Sequence, residues 1–246
     1  MRKLLTYRNL KTMRGEDAGI LTAILHLAPA NLSGYEVCSG RTRGCTAVCL
    51  NSAGHGGIGA VFDARGALVT ANAVQEARIW RTKLLHEQPV EFITRLVQEL
   101  DAHVRKAARL EMRPAVRLNG TSDLDVENWG VIQAYPTVTF YDYTKHYDRM
   151  MSYMRGEMPS NYSLTFSRAE TTRSRIDSMQ VLVEGGNVAV VFGGKTLPAT
   201  WLGYTVIDGT LTDIRFNDPR GVVVGLLAKG KARRDTTSGF VVWNHQ

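Results

Sequence analysis

Cysteine is the scarce residue in this chain, with three among 246 positions, and proline is scarce too, at seven. An odd, small cysteine count excludes a disulfide framework of the kind that staples small secreted domains. Long apolar runs are missing as well. None approaches the roughly 20 residues that a membrane-crossing helix needs. The start, Met1-Arg-Lys-Leu-Leu-Thr-Tyr-Arg-Asn, lacks an apolar stretch long enough for a secretory signal. No low-complexity tract, linker or internal repeat interrupts a composition that is 44% hydrophobic and 22% charged, which argues against disorder. The expectation is one domain over residues 1–246, cytoplasmic and without a membrane partner.

Acidic residues are the minority charge: 23 Asp and Glu against 30 Lys and Arg leave a net +7. The surplus is densest in an N-terminal arm (Arg2, Lys3, Arg8, Lys11, Arg14) and in Lys229, Lys231, Arg233 and Arg234. Charge alone allows a host protein or nucleic acid as partner, with a solvated basic surface as the plainer reading. Familiar catalytic patterns are absent: no Ser-His-Asp order, no His-Glu-x-x-His and no tandem acids for a two-metal nuclease. Gly193-Gly-Lys195-Thr196 is no phosphate-binding loop, because Ala189 occupies the first glycine position and Pro198 interrupts the helix that should follow.

What is present is concentrated. Cys38, Cys45 and Cys49 fall within twelve residues, inside a polar, Gly-rich loop spanning 35–57. Gly40 and Gly44 let such a loop fold back so that three thiolates can converge. Soft metals are the chemistry that converging thiolates serve in a reducing compartment: zinc or an iron–sulfur cluster. Structural zinc uses tight Cys-x2–4-Cys pairs and four ligands. Only the 45/49 pair has that spacing, and His55 is the nearest fourth candidate. Three cysteines with no fourth better fit a [4Fe-4S] cluster that leaves one iron for a non-cysteine ligand or a substrate. Asp123 is a candidate oxygen ligand, and His26 reads as a satisfied core histidine.

The apolar run Ile20–Ala28, closed by Pro29, leads into that loop. A helix is expected over about Ala67–His86. A second follows Pro89, with Phe92, Ile93, Leu96, Val97, Leu100 and Val104 on one face. Five further runs each end in a polar turn: Pro114–Leu118, Thr137–Tyr141, Tyr162–Phe166, Asn187–Phe192 and Val222–Ala228. The first four recur every 23–26 residues or so, the spacing of βα units. The pattern predicts a single α/β domain, an open or partial (β/α) barrel of about six strands, with a doubly wound sheet as the alternative. Working residues in such folds lie at the carboxyl ends of strands, which places Asp123, Lys145, Arg168 and Lys195 beside the cysteine loop. Asn119, Ser122 and Asp123 can contact a ligand or close their own turn. Lys145 can bind an anion or act as acid or base, and Tyr141, Tyr143, Tyr147 and Tyr153 can stack bases.

Two resemblances follow from these residues. Three cysteines after the first strand of a partial barrel resemble the radical S-adenosylmethionine enzymes, whose motif is Cys-x3-Cys-x2-Cys. Here the gaps are six and three, and Val48 stands where that family has an aromatic residue. A wider resemblance is to a bacteriophage family, the gene-product-eighty-eight domain. It rests on the Cys38–Cys49 loop with Leu50 and Gly54, Ala64-Arg65, Val116–Asp123, Phe140–Lys145, Asn161–Ser167, Asp213–Arg215 and Val224–Leu226. That resemblance implies a phage gene expressed in a bacterial host and an iron–sulfur cluster, with no activity to carry over. In an enzyme, Lys145, Asp123 and Arg168 would position anionic groups, and Asn119, Ser122 and Tyr143 would contact the cofactor, with S-adenosylmethionine or a small anionic substrate at the open iron. The competing class is a binding protein with a structural or sensing cluster, or zinc.

Overall fold

A computed structural model describes residues 2–7, 10–63 and 68–243. Arg8 of the basic arm, the Ala64-Arg65 pair and Ala67 lie outside the described residues, as does the Lys11 side chain. The strands are β1 (Leu5–Thr6), β2 (Ile20–Leu25), β3 (Val61–Phe62), β4 (Leu68–Thr70), β5 (Arg113–Arg117), β6 (Thr139–Thr144), β7 (Tyr162–Ser167), β8 (Val188–Phe192), β9 (Thr200–Trp201), β10 (Tyr204–Asp208) and β11 (Val223–Leu227). The helices are α1 (Leu10–Glu16), α2 (Ala30–Ser33), α3 (Arg43–Ala47), α4 (Ala73–Glu87), α5 (Pro89–Arg109), α6 (Val131–Ala134), α7 (Tyr147–Met154) and α8 (Thr172–Val183).

Nine strands form one mostly parallel sheet in the order β1-β2-β5-β6-β7-β8-β11-β10-β9, while β3 and β4 pair as a separate ribbon. Strands β2, β5 and β6 pair in parallel, as do β7, β8, β11 and β10. The short strands β1 and β9 lie antiparallel at the two ends of the order. The fold is therefore mixed α/β with a large open sheet, and no closed barrel forms among the described residues. All six apolar runs read from the sequence became strands, and they succeed one another in chain order across the sheet. β2 is buried at every position, as a parallel strand covered on both faces must be.

The chain divides into two compact units, Met1–Ser39 with Leu50–Phe140, and Gly40–Cys49 with Tyr141–Gln246. In the first, Pro89 occupies the opening turn of α5, where its missing N–H costs nothing. The buried positions of α5, Phe92, Leu96, Leu100, His103 and Ala107, repeat every three or four residues. His103 sits inside that stripe, its Nε2 3.2 Å from the Ala115 carbonyl, and burial pushes its pKa down to about 4. It is thus a neutral core group. The preceding helix starts later than the sequence predicts, because Asn72 caps it by accepting a bond from Gln75 N–H and residues 68–70 are a strand instead.

The buried face of α4 is polar. Gln75 donates to the Asn51 and Gly56 carbonyls at 2.7 Å each, and Arg78 donates to the Asn51 carbonyl and side-chain oxygen at 2.9 Å each. Asn72 donates to the carbonyls of His55 and Ile58. This face replaces apolar packing with a clamp on the main chain of residues 51–58, a segment whose own hydrogen bonds are those of short 3-10 turns.

In the second unit, β6, β7 and β8 alternate with α7 and α8. Arg149 of α7 donates to the Tyr162 hydroxyl at 2.6 Å, and that hydroxyl donates to buried Asp142 at 3.1 Å. Nearer the end of the chain, Arg215 Nη1 lies 3.2 Å from Asp218, close enough to pair by charge but not aligned as a hydrogen bond. Burial outweighs that attraction and pushes the Asp218 pKa up to about 6. A carboxyl whose folded pKa exceeds its unfolded value contributes stability that is complete below the unfolded pKa of 3.8 and lost as pH rises through about 6. The wild type is therefore expected to lose stability relative to Asp218→Asn between about pH 4 and pH 7. Parallel denaturation curves across that range would show that Asp218 is not held this way.

Candidate functional site

Two stretches of the cysteine loop are anchored separately, each at the carboxyl ends of strands. In the first unit the chain leaves β2 and forms α2, which Gly34 ends in the left-handed conformation. The turn that follows β5 is stitched to this exit. Gly120 N–H donates to the Leu25 carbonyl at 3.0 Å, the Thr121 hydroxyl to the Leu27 carbonyl at 2.6 Å, and Asp123 N–H to the Val37 carbonyl at 2.8 Å. Cys38 completes the seam: its Sγ is 3.6 Å from the Thr121 carbonyl, and its N–H donates to Glu36. Cys38 and nearly buried Asp123 thus belong to adjoining loops.

Asn119 and Ser122 close the β5 turn. The Asn119 side-chain oxygen accepts from the Ser122 hydroxyl at 2.8 Å and from Leu124 N–H at 2.9 Å, while its amide donates to the Leu124 carbonyl. Of the two roles open to them from the sequence, the geometry supplies the turn-closing one.

In the second unit Cys45 lies on α3, whose N-cap is Thr42; the Thr42 hydroxyl accepts from Cys45 N–H at 3.3 Å. Glu170, just past β7, grips the start of this helix. One oxygen accepts from the Thr42 hydroxyl and the other from Gly44 N–H, both at 2.7 Å. Burial opposes the charge on Glu170, but these bonds prevail and hold its carboxyl below the usual range. Gly44 is required there: an added Cβ would stand 2.8 Å from the Glu170 carboxyl and 2.9 Å from Phe240 Cβ.

Cys45 packs against a small apolar cluster of Val48, Ala169, Ala228, Ala232, Phe240 and Val241. Burial pushes its thiol up, the Lys145 cation pulls it back, and Cys49 and Glu170 add to the rise. Lys145, at the end of β6, donates to the Ser167 hydroxyl at 2.6 Å and stands 5.4 Å from the Phe240 ring centre. Arg168 is 6% exposed and donates to the Gly239 and Phe240 carbonyls at 3.0 Å each. Burial lowers its pKa to about 10, so it stays cationic at neutral pH while holding that segment in place. Tyr143 is half-buried on β6.

The remaining candidates fall elsewhere. His55 is exposed in a short 3-10 turn, and Lys195 is exposed after β8. His26 is half-buried, with Nδ1 3.1 Å from the Thr6 hydroxyl. None of the three cysteines is in a disulfide, and all three are of intermediate exposure. Among the described residues no three His, Cys, Asp or Glu side chains are grouped to hold a metal ion. The donor types are those that thiolate-bound metals and clusters use: three cysteines outside any disulfide, with the Lys145 cation offsetting part of the rise that burial gives the Cys45 thiol.

Two important residues escaped the sequence reading. Thr42 had a local signal, a hydroxyl three residues before Cys45 at the start of a helix. Glu170 had none, since it lies 126 and 128 residues from its partners. The Lys145 coupling is open to test: Lys145→Met is expected to slow alkylation of Cys45 several-fold at mildly alkaline pH, followed residue by residue by mass spectrometry. An unchanged Cys45 rate would remove Lys145 from the thiol's environment.

No curated protein and no solved structure matches the chain significantly. The family model described as Gene product 88 matches residues 3–243. Its span takes in both units, the cysteine loop, Lys145 and Glu170. The chain belongs to the Gene product 88 family of phage proteins.

Proposed function

We propose that this protein is a phage iron–sulfur protein in which Cys38, Cys45 and Cys49 hold a [4Fe-4S] cluster, with one iron left to a non-cysteine ligand or a substrate. The observation that carries the reading is the state of the thiols. The chain's three cysteines are outside any disulfide, half-buried and confined to one loop. Lys145 beside Cys45 supports it, because a cation favours the thiolate that binds iron. Glu170 supports it too, by fixing the backbone on which Cys45 sits.

The reading extends to a partial barrel of the radical S-adenosylmethionine type, with S-adenosylmethionine at the open iron. Its support is the chain-order succession of parallel strands and the polar loops at their ends. When bound, such a cluster supplies single electrons. Lys145 is then the group to bind an anionic portion of the ligand. Asp123, nearly buried beside the Cys38 loop, is the candidate oxygen ligand. Arg168 acts by positioning the Gly239–Phe240 segment rather than by touching a ligand.

A second reading is a binding protein with a structural or sensing cluster. One observation favours it: Asn119, Ser122 and Arg168 direct hydrogen bonds to their own turn or to main chain, which leaves fewer polar groups facing a substrate.

Anaerobic purification with iron, sulfide and zinc analysis separates these readings. About four irons and four sulfides per chain are expected, and Cys38→Ala, Cys45→Ala and Cys49→Ala are each expected to lose them. Reduced-protein EPR that changes on adding S-adenosylmethionine supports the enzyme; an indifferent spectrum supports the second reading. Stoichiometric zinc after anaerobic reconstitution, or iron that survives all three substitutions, defeats the cluster itself.

A further inference from the structure

The carboxyl ends of β8 and β11 frame a groove of about 510 Å3, lined by Gly194, Lys195, Leu227, Ala228, Arg233 and Trp243. All six residues belong to the second unit. The volume lies in the range of small-molecule pockets, roughly 300–1,000 Å3. No cysteine, and neither Lys145 nor Glu170, lines it, although Ala228 and Trp243 also pack in the apolar cluster that Cys45 touches.

The groove is rigidly built. Val242 pairs in parallel with Phe192; its N–H donates to the Val191 carbonyl and its carbonyl accepts from Gly193 N–H, both at 2.8 Å. The next residue, Trp243, is fixed by its indole N–H, which donates to the Asp235 carbonyl at 2.8 Å. Its ring lies against the Gly193 backbone, where an added Cβ would come within 2.4–2.6 Å of three ring atoms. A large flat side chain is thus held in one orientation before any ligand arrives, which lowers the entropy cost of binding.

Among the described residues, the two charged groups that line the groove are both positive. Lys195 and Arg233 are exposed, and among the described residues neither is within ion-pair distance of a carboxylate. Among the described residues Arg233 bonds through Nε alone, in a long 3.4 Å bond to the Ala228 carbonyl, which leaves its terminal nitrogens to face a ligand. The neighbouring acid, Asp235, is engaged by Ser238 through both its backbone N–H and its hydroxyl. Lys229, Lys231 and Arg234 add to the positive field from the same segment.

The geometry points to a mononucleotide site, with the base against Trp243, Leu227 and Ala228 and the phosphate between Lys195 and Arg233. A planar guanidinium matches phosphate oxygens in pairs, and a lysine adds a point charge. Inorganic phosphate would leave the aromatic and aliphatic walls unused. Single-stranded nucleic acid uses successive aromatic platforms along a track, whereas one aromatic lines this groove. The assignment does not rest on the reading that the cysteines hold a cluster.

Isothermal titration of the full chain with the four common nucleoside monophosphates, adenosine, inorganic phosphate and a twelve-residue single-stranded DNA tests the assignment. At least one monophosphate is expected to bind, more tightly than adenosine or inorganic phosphate, and more weakly as salt is raised. Lys195→Ala and Arg233→Ala, both at exposed positions, should each weaken it by about tenfold while thermal unfolding stays unchanged. Trp243→Phe, which keeps a ring against Gly193, should weaken it less. The site is overturned by any of three results: no monophosphate binds, inorganic phosphate or only the oligonucleotide binds as well, or the two charge substitutions leave affinity unchanged.

Discussion

Main-chain polar groups that no strand or helix satisfies are the constraint on which this structure depends. Between the end of β2 and the start of α4 lie 47 residues, whose described part holds short helical turns and one small ribbon. Leaving a buried donor or acceptor unbonded costs about 1–3 kcal/mol, so so long an irregular stretch persists only if side chains take over the role of a ladder. Gln75, Arg78 and Asn72 do so for residues 51–58, Glu170 for residues 42–44, and the turn after β5 for the exit of β2. This explains buried polar residues that would otherwise be a liability: Gln75 is wholly buried because the carbonyls it bonds are buried with it.

The same constraint shapes the thiols. A Gly-rich loop free to wander would present three solvated cysteines of ordinary reactivity. Here Cys38 is tied at the Thr121 seam, and Cys45 is carried on a capped helix against Phe240 and Ala228. Desolvation makes the Cys45 thiolate costly, and Lys145 answers with a positive charge supplied by the neighbouring strand end. Lys145 and Arg168 look alike in sequence, each at a strand end beside a turn. The structure divides them, one facing a hydroxyl and a ring, the other carrying two carbonyls of a distant segment.

What was legible in the sequence was whatever repeats locally. The stripe on α5, the Pro89 start and the six apolar runs are periodic signals, and each gave its element within a few residues. The edge strands β1 and β9 are two residues long and carry no period, and β10 is half exposed, so nothing marked them. The expected 67–86 helix failed over residues 68–72, up to Asn72, whose side chain caps more favourably than it continues a helix. At the site, cysteine clustering and the strand-end rule located the loop and placed Lys145 near it. The roles of Asn119, Ser122 and Arg168 were not legible, because an amide, a hydroxyl or a guanidinium reads the same whether it faces a ligand or a carbonyl. Glu170 and Trp243 act on segments far along the chain or on main chain alone, and such contacts leave no pattern between neighbours.

The clamp on residues 51–58 has an evolutionary corollary. Gln75 and Asn72 bond carbonyl oxygens, and a carbonyl is present whatever side chain the residue bears. Asn51 is the exception, since Arg78 and Gln75 also bond its amide. The exposed side chains between, His55 and Ile58, can therefore drift in sequence while the path of the backbone stays fixed, whereas Gly54, with φ +55°, cannot. A helix face that looks poorly amphipathic is in this sense a template, holding a variable surface on an invariant frame.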